Sequence, residues 1–235
     1  MSGFSDIDEN VKGWFSLDKW RPTTRACAFI HASLDDTLRS FIDWTTPHAA
    51  RYDATLRVHE ITGTVDDAFE ALLPLRPRWY DKHLLLPTKD DKWTAIFDNQ
   101  SQGTEPHSLA SSMNRLYKHE VVYAVDIPHT LSKDKMHGSY GCVNFVYYYG
   151  EEQRRGVQVT RGHSRWEFGA YGEPLPFEDL TLFDQRRTTN RFNHDVLLRY
   201  LLGMGIDASN EAFYMPNSRA IIVEEYGQNL KEVSK

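Results

Sequence analysis

Histidine is the residue type most able to do chemistry in this sequence, which contains ten of them. None forms a close pair such as HxH or HExxH, the spacings that bring two metal ligands onto one strand or helix. A catalytic site would therefore have to be assembled from separate loops, and the candidates for it are Asp98, His107, His129, His137 and His163. The competing interpretation, which we favour, is that these are ordinary surface and loop residues. We predict no metal ion and no cofactor.

One of these candidates closes a strand-like segment. Asp98 and Asn99 end the apolar run at residues 93–98, and Glu105 and His107 lie in the loop that follows. Polar groups after a strand are where α/β proteins often bind ligands. The Asp-Asn pair is also good turn chemistry, and His107 stands at the start of a helical segment, so the turn is the simpler explanation.

Nucleophile and phosphate-binding motifs are absent from the sequence. There is no GxSxG elbow, no GxGxxG and no GxxxxGK[ST]. Cys142 could act as a nucleophile with His137 or His163, but its apolar surroundings do not predict the electropositive, exposed setting that a reactive thiol needs. The sequence therefore argues against a nucleotide enzyme of the Rossmann or P-loop kind.

A stretch rich in arginine and tyrosine predicts a binding surface instead. The residues that could share one face are Tyr147, Tyr149, Arg154, Arg155, Arg161 and Arg165. Such a face suits an acidic protein or a nucleic acid. Glutamates at positions 151, 152 and 167 lie among these arginines, and mixed charges are also typical of a solvated, salt-bridged surface.

Composition limits the class of protein. The 235 residues include 27 basic and 33 acidic side chains, a net charge of −6 that argues against nucleic acid as the main partner. With 12 Phe, 6 Trp and 12 Tyr, the chain is too aromatic to be disordered. No apolar run is long enough to span a membrane. Two cysteines and an acidic N-terminus without a signal pattern predict a cytoplasmic protein.

The N-terminal aromatic residues leave a question open. Trp14, Phe15 and Trp20 either pack on the core of this chain or dock on another molecule. The aromatic strands between residues 142 and 171 pose the same question, because only one of their two faces needs to be buried.

Hydrophobic periodicity predicts the elements that would position these residues. Strands are predicted at residues 25–32, 55–61, 93–98, 120–127, 142–149, 156–160, 166–171 and 220–223. Helices are predicted after the N-caps Ser33, Thr64 and Asn193, at residues 108–117, and as a polar helix at 180–192. Pro47 and Pro74 are expected to close the first two helices. Short junctions between the later strands are typical of a meander.

These elements predict an α+β fold with a mostly antiparallel sheet, a strand meander in its second half, and helices packed on one face. We expect a single domain over residues 1–235. A possible subdivision is a mixed α/β half at 1–118 and a meander with C-terminal helices at 119–235.

Two segments resemble parts of uncharacterised bacterial proteins. Residues 165–207 begin RWEFGAYGEPLPFED and resemble a WxF strand that runs into GEPLPFE and two helices, and WTAIFDN with a following GT, at 93–104, is similar to a second stretch. Together they cover about a quarter of the chain. The resemblance implies a bacterial or prophage origin and one integrated fold, but it carries no activity and no catalytic residues.

The sequence thus favours a non-enzymatic bacterial binding protein, such as an immunity or accessory protein, whose partner is another protein. Net acidity, aromatic strands and the lack of a compact catalytic motif favour this function. One alternative is a hydrolase or nucleic-acid-processing enzyme with a loop-built His/Asp site. Another is a structural subunit of a larger assembly. The oligomeric state is left open.

Overall fold

The computed structural model describes residues 20–77, 81–101, 106–132, 138–215 and 218–227. Within these residues, nine strands form one sheet in the order β2-β9-β3-β4-β1-β5-β6-β7-β8, with all neighbours antiparallel. The strands are β1 (Ala26–Ile30), β2 (Thr55–Thr62), β3 (Lys82–Pro87), β4 (Thr94–Asp98), β5 (Val121–Ile127), β6 (Cys142–Tyr149), β7 (Glu152–Arg161), β8 (Trp166–Gly172) and β9 (Arg219–Tyr226). The predicted α+β class and the antiparallel meander β5-β6-β7-β8 are confirmed.

Five α-helices accompany the sheet within the described residues: α1 (Leu34–Arg51), α2 (Val65–Glu70), α3 (His107–Tyr117), α4 (Thr188–Arg191) and α5 (His194–Gly203). Three predicted N-caps are confirmed, since the side chains of Ser33, Thr64 and Asn193 each accept a hydrogen bond from the backbone N–H three residues later. Asp67 also bonds back to the N–H of Thr64, which completes a capping box.

Two helix predictions are corrected. Helix α1 continues through Pro47 to Arg51, because a proline removes one hydrogen bond without ending a helix whose inner face is buried. The predicted helix at 180–192 is instead a 3-10 turn at Leu180–Asp184 followed by the single turn α4. Neither of these two short segments contains a buried residue, so tertiary packing does not extend them.

The helices lie on both faces of the sheet rather than on the one face expected. Helices α1 and α3 pack on the set of strand side chains that includes Ala26, Ala28 and Ile30, here called the α1 face. Helices α2 and α5 pack on the alternate set that includes Cys27 and Phe29, here called the α5 face. Because both alternating sets of the central strands are apolar, both faces must be covered.

Strand β3 was not predicted. Its three leucines, Leu84 to Leu86, form a short continuous apolar run without the alternation of a half-buried strand. They are fully buried between β9 and β4, with Leu85 on the α1 face and its two neighbours on the α5 face. Strand β9, near the C-terminus, lies between β2 and β3, so the sheet combines strands from both halves of the sequence.

Antiparallel pairing brings several strand ends together. Ile30, the last residue of β1, pairs with Thr94 at the start of β4 and with Val121 at the start of β5. The residues just outside these strands, His31, Trp93 and Glu120, therefore meet at one end of the sheet. None of the helices described is long and apolar enough to cross a bilayer.

Candidate functional site

A cleft of about 800 Å³ opens at this end of the sheet. One wall consists of His31, Trp93 and Glu120, with Lys89 and Lys92 from the connection between β3 and β4. The opposite wall follows helix α5 and includes Met204, Gly205, Asp207, Asn210, Ala212 and Phe213. We call it the His31 cleft.

A chain of hydrogen bonds holds the histidine of this cleft. Nδ1 of His31 lies 2.8 Å from Oε2 of Glu120, and the phenol of Tyr147 donates to Oε1 of the same carboxylate at 2.9 Å. The backbone N–H of His31 also donates to the carbonyl of Glu120 at 2.9 Å. Burial, together with the hydrogen bond to Glu120 and its charge, raises the pKa of Tyr147, so this phenol stays a hydrogen-bond donor.

The imidazole is also fixed by stacking. Its ring lies on the indole of Trp93 with centroids 4.5 Å apart and an interplanar angle of 28°. Trp93 is buried, and its backbone N–H and C=O are both bonded to Thr88 across the β3–β4 turn. The same turn contains Lys89 and Lys92, so one short connection supplies both the aromatic support and the positive charges of the cleft.

This arrangement can move a proton. Because a carboxylate oxygen accepts the hydrogen at Nδ1, the neutral imidazole of His31 has its lone pair on Nε2, which is the tautomer of a general base. Glu120 orients the ring and stabilises the imidazolium that forms when Nε2 takes a proton. Tyr147 holds the second oxygen of that carboxylate and so fixes its orientation.

A second cleft of about 590 Å³ shares His31 with the first. It includes Ser40 and His119, whose Oγ and Nε2 atoms lie 2.8 Å apart. Burial lowers the pKa of His119, which favours its neutral form. Among the described residues, no carboxylate is hydrogen-bonded to the other ring nitrogen of His119, so this ring lacks the orienting group that His31 has. We therefore assign no reaction to this pair.

The candidate Asp98 lies far from the His31 cleft. It is the last residue of β4, at the opposite end of that strand from Trp93. Its carboxyl is buried, and Oδ1 accepts the N–H of Gln100 at 2.9 Å in the expected turn. Burial raises the pKa of Asp98 to about 7. None of the three clefts at His31, at His119 and beside α3 includes Asp98, and the residue is 4% exposed, so we treat it as an interior residue.

The candidate histidines are divided between two places. His107 begins α3 and its Nε2 lies 2.8 Å from the phenol oxygen of Tyr148. His129 and His163 both lie at the end of the sheet opposite the cleft, where each packs on Tyr140, and the Tyr140 phenol is 3.0 Å from Nδ1 of His163. Both of these histidines are exposed. His137 and Glu105 lie outside the described residues.

The predicted binding residues do not form one face. Tyr147 does not line the His31 cleft but donates to its residue Glu120, whereas Arg155 is buried and its guanidinium makes two bonds to Glu178, at 2.8 and 2.5 Å. Arg155 is therefore a structural residue and not the surface contact that we expected. Tyr149 and Arg154 are exposed neighbours, since the Nε of Arg154 donates to the carbonyl of Tyr149 at 3.1 Å.

The remaining arginines lie nearer the other end of the meander. Arg161 is half-buried, and the exposed Arg165 lies 3.5 Å from Glu167, the mixed-charge arrangement that the sequence left open. Of the N-terminal aromatics, Trp20 packs on the core, stacked on Phe69. Trp14 and Phe15 lie outside the described residues.

Sequence reasoning missed His31, Trp93 and Glu120 as site residues. They are separated by up to 89 positions, and only the pairing of β1 with β4 and β5 brings them together. Each of the three immediately precedes or follows an apolar strand in the sequence, and this position is the local feature that could have marked it as a site residue. Within the described ranges, no three His, Cys, Asp or Glu side chains are arranged to hold a metal ion. The expectation of no metal and no cofactor stays a prediction.

Comparison of the chain with protein-family models, with curated proteins and with solved structures found no match. The resemblance of residues 165–207 and 93–104 to bacterial proteins therefore stays an expectation. What the chain does must be inferred from its own side chains, of which those around His31 form the most complete chemical arrangement.

Proposed function

We propose that this protein is a hydrolase whose general base is His31. The main support for this proposal is the series of hydrogen bonds that joins Tyr147 to Glu120 and Glu120 to His31. His31 lines a cleft that is large enough for a small molecule. An oriented carboxylate–imidazole pair beside a ligand-sized cavity is the arrangement expected for proton transfer.

The charges and rings of the cleft favour an anionic substrate with an apolar part. Lys89 and Lys92 are exposed and form no ion pair with any side chain that the structure describes, so we take their ammonium groups to be available to a ligand. The two acidic groups of the cleft are already engaged, Glu120 by His31 and Tyr147, and Asp207 by the amide of Asn210. Trp93 and Phe213 provide apolar walls.

The reaction that fits is hydrolysis of a carboxylic ester. Nε2 of His31 takes a proton from water as the water oxygen bonds to the acyl carbon. When the bond to the leaving oxygen breaks, the imidazolium returns that proton to it, which gives an acid and an alcohol. The lysines hold the anionic group of the substrate and so place the ester beside His31.

Chromogenic esters test the proposal. Mono-p-nitrophenyl succinate carries the expected anion, and p-nitrophenyl acetate lacks it. We expect His31→Gln and Glu120→Gln to lower kcat/KM by about 100-fold or more, within the usual range for general-base catalysis. Lys89→Gln with Lys92→Gln should raise KM for the succinate ester alone.

The control variant is His163→Gln, which removes an exposed histidine at the other end of the sheet and should change neither rate. Hydrolysis by the His31→Gln variant at the wild-type rate, or no hydrolysis by the wild type above that variant, would contradict the proposed function.

A second proposal is the binding protein expected from the sequence: a cytoplasmic bacterial protein of the immunity or accessory type that contacts another protein. Its support is the exposed pair Tyr149 and Arg154, since Tyr and Arg are enriched where proteins bind each other. Capture from a bacterial lysate should recover a stoichiometric partner that Tyr149→Ser with Arg154→Ala loses and that His31→Gln retains. The second proposal would be contradicted if the protein is recovered from the lysate without a stoichiometric partner, or if the double substitution leaves the amount of captured partner unchanged.

A further inference from the structure

Among the described residues, α3 is the one helix that reaches the α1 face of the meander, and a groove of about 350 Å³ lies beside its start. Cross-strand pairing builds its floor in rows. Asn144, Gln158 and Gly169 are paired across β6, β7 and β8, and Val146, Gly156 and Tyr171 form the next row. Gln153 lies opposite Tyr148 at one end. We call this surface the amide groove.

The amide groove differs from the rest of the surface in its charge. Asp, Glu, Lys and Arg make up 26% of the chain, yet none of the described residues that line the groove is of these types. Besides the ring of His107, whose Nε2 lies 2.8 Å from the phenol oxygen of Tyr148, and the phenol of Tyr171, its polar side chains are the amides of Asn144, Gln153 and Gln158. In the part of the chain that the structure describes, these three amides make no hydrogen bond to protein. Each offers a carbonyl acceptor and two N–H donors to a ligand.

An exposed aromatic ring stands in the same row. Tyr171 is 64% exposed and stands at the end of its row, on the edge strand β8. Strand β8 is fixed at this residue, because the buried guanidinium of Arg155 donates to the carbonyls of Tyr171 and Gly172 at 3.2 and 2.7 Å. Gly169 keeps the floor low beside Gln158, and the amide of Gln153 lies over Gly156, so a flat ligand can lie between these amides and the ring.

We propose that the amide groove binds a neutral sugar ring. A sugar hydroxyl donates and accepts at once, which matches an amide, and neither partner requires removal of water from a charge. The C–H face of a sugar fits the electron-rich face of Tyr171. A peptide lying on the floor itself could not pair as an added strand, because both edges of β7 already pair with β6 and β8. Strand addition at the outer edge of β8 would be a different mode, beside the groove rather than in it. The site is independent of the His31 cleft.

A titration of the isotope-labelled full chain tests this site, with the side-chain amide NMR signals of Gln153 and Gln158 as the readout. The probes are methyl β-glucoside, maltose, cellobiose, lactose and, as a charged counterpart, glucuronate. We expect at least one neutral sugar to shift these signals. Tyr171→Ala should weaken binding about tenfold or more, and Gly169→Val, whose Cβ would lie at an ordinary 3.5 Å from Gln158 while its methyl groups raise the floor, should do the same.

The matched control is Tyr149→Ala, which removes a 54% exposed tyrosine from the α5 face and should leave the titration unchanged. No shift with any neutral sugar at about 50 mM would overturn the proposal. So would tighter binding of glucuronate than of every neutral sugar, or wild-type binding by both Tyr171→Ala and Gly169→Val.

Discussion

Replacing Asp98 by asparagine should stabilise the protein above neutral pH. The carboxyl of Asp98 is 4% exposed, and burial raises its pKa from 3.8 to about 7. Its cross-strand neighbour His83 is buried as well, and burial lowers the pKa of that ring to about 3, so it supplies no positive charge. The native state must therefore ionise Asp98 in a desolvated site, whereas asparagine is neutral and can still accept the N–H of Gln100.

The size and sign of the effect follow from the two pKa values. Because the native pKa lies above the unfolded one, the native state binds the extra proton, and wild-type stability falls as pH rises from about 4 to about 7. One pKa unit corresponds to about 1.4 kcal/mol, so ionisation costs the native state about 4 kcal/mol. Asp98→Asn should match the wild type near pH 4 and exceed its free energy of unfolding by about 4 kcal/mol at pH 8.

Urea unfolding followed by circular dichroism measures this difference at each pH. The control is Asp184→Asn, which removes an exposed carboxylate and should give a curve parallel to that of the wild type. If the Asp98→Asn curve is also parallel to the wild type between about pH 4 and about pH 8, Asp98 ionises without penalty and the burial argument is refuted. Ester hydrolysis should be unchanged, since Asp98 lies at the far end of β4 from the His31 cleft.

Three further substitutions test the packing. Arg155→Ala leaves the carboxylate of Glu178 buried without its ion pair and should lower the free energy of unfolding by about 3–5 kcal/mol in urea titrations; a loss below about 1 kcal/mol would show that the pair is not needed. Thr64→Ala removes the capping box of α2 and should cost about 1 kcal/mol by the same assay, with no change as the contrary result. Phe29→Ala opens a cavity in the α5-face core and should cost about 3–5 kcal/mol, and thermal unfolding at the wild-type temperature would contradict that.

Local features of the structure could be predicted because local physics determines them. Ser33, Thr64 and Asn193 cap helices since their side chains bond backbone groups a few residues away. The strands of the meander follow from aromatic and β-branched runs separated by short turns. Strand β3 could not be predicted in this way, because a continuous apolar run fits a buried helix as well as a buried strand.

Placement across the sheet depends on long-range pairing and was harder to predict. Strand β1 has apolar residues on both sides, Ala26 with Ala28 on one and Cys27 with Phe29 on the other. This pattern indicates that both faces of the sheet are covered, but only when β1 is known to be a central strand. Similarly, no spacing in the sequence joins His31 to Glu120. Arg155 was predicted to be a surface cation because the sequence alone does not show that Glu178 and the carbonyl groups of β8 lie around its guanidinium.

The most direct test of the His31 cleft is the nitrogen NMR spectrum of the His31 ring, recorded with and without 3-phenylpropionate, a stable aromatic anion, and compared with neutral 3-phenylpropanol. The geometry predicts hydrogen on Nδ1, a lone pair on Nε2, and a shift of the Nε2 signal that the anion produces at lower concentration than the alcohol. Hydrogen on Nε2 in the neutral ring, or no response of His31 to the anion while other histidines respond, would contradict the proposed role of this cleft.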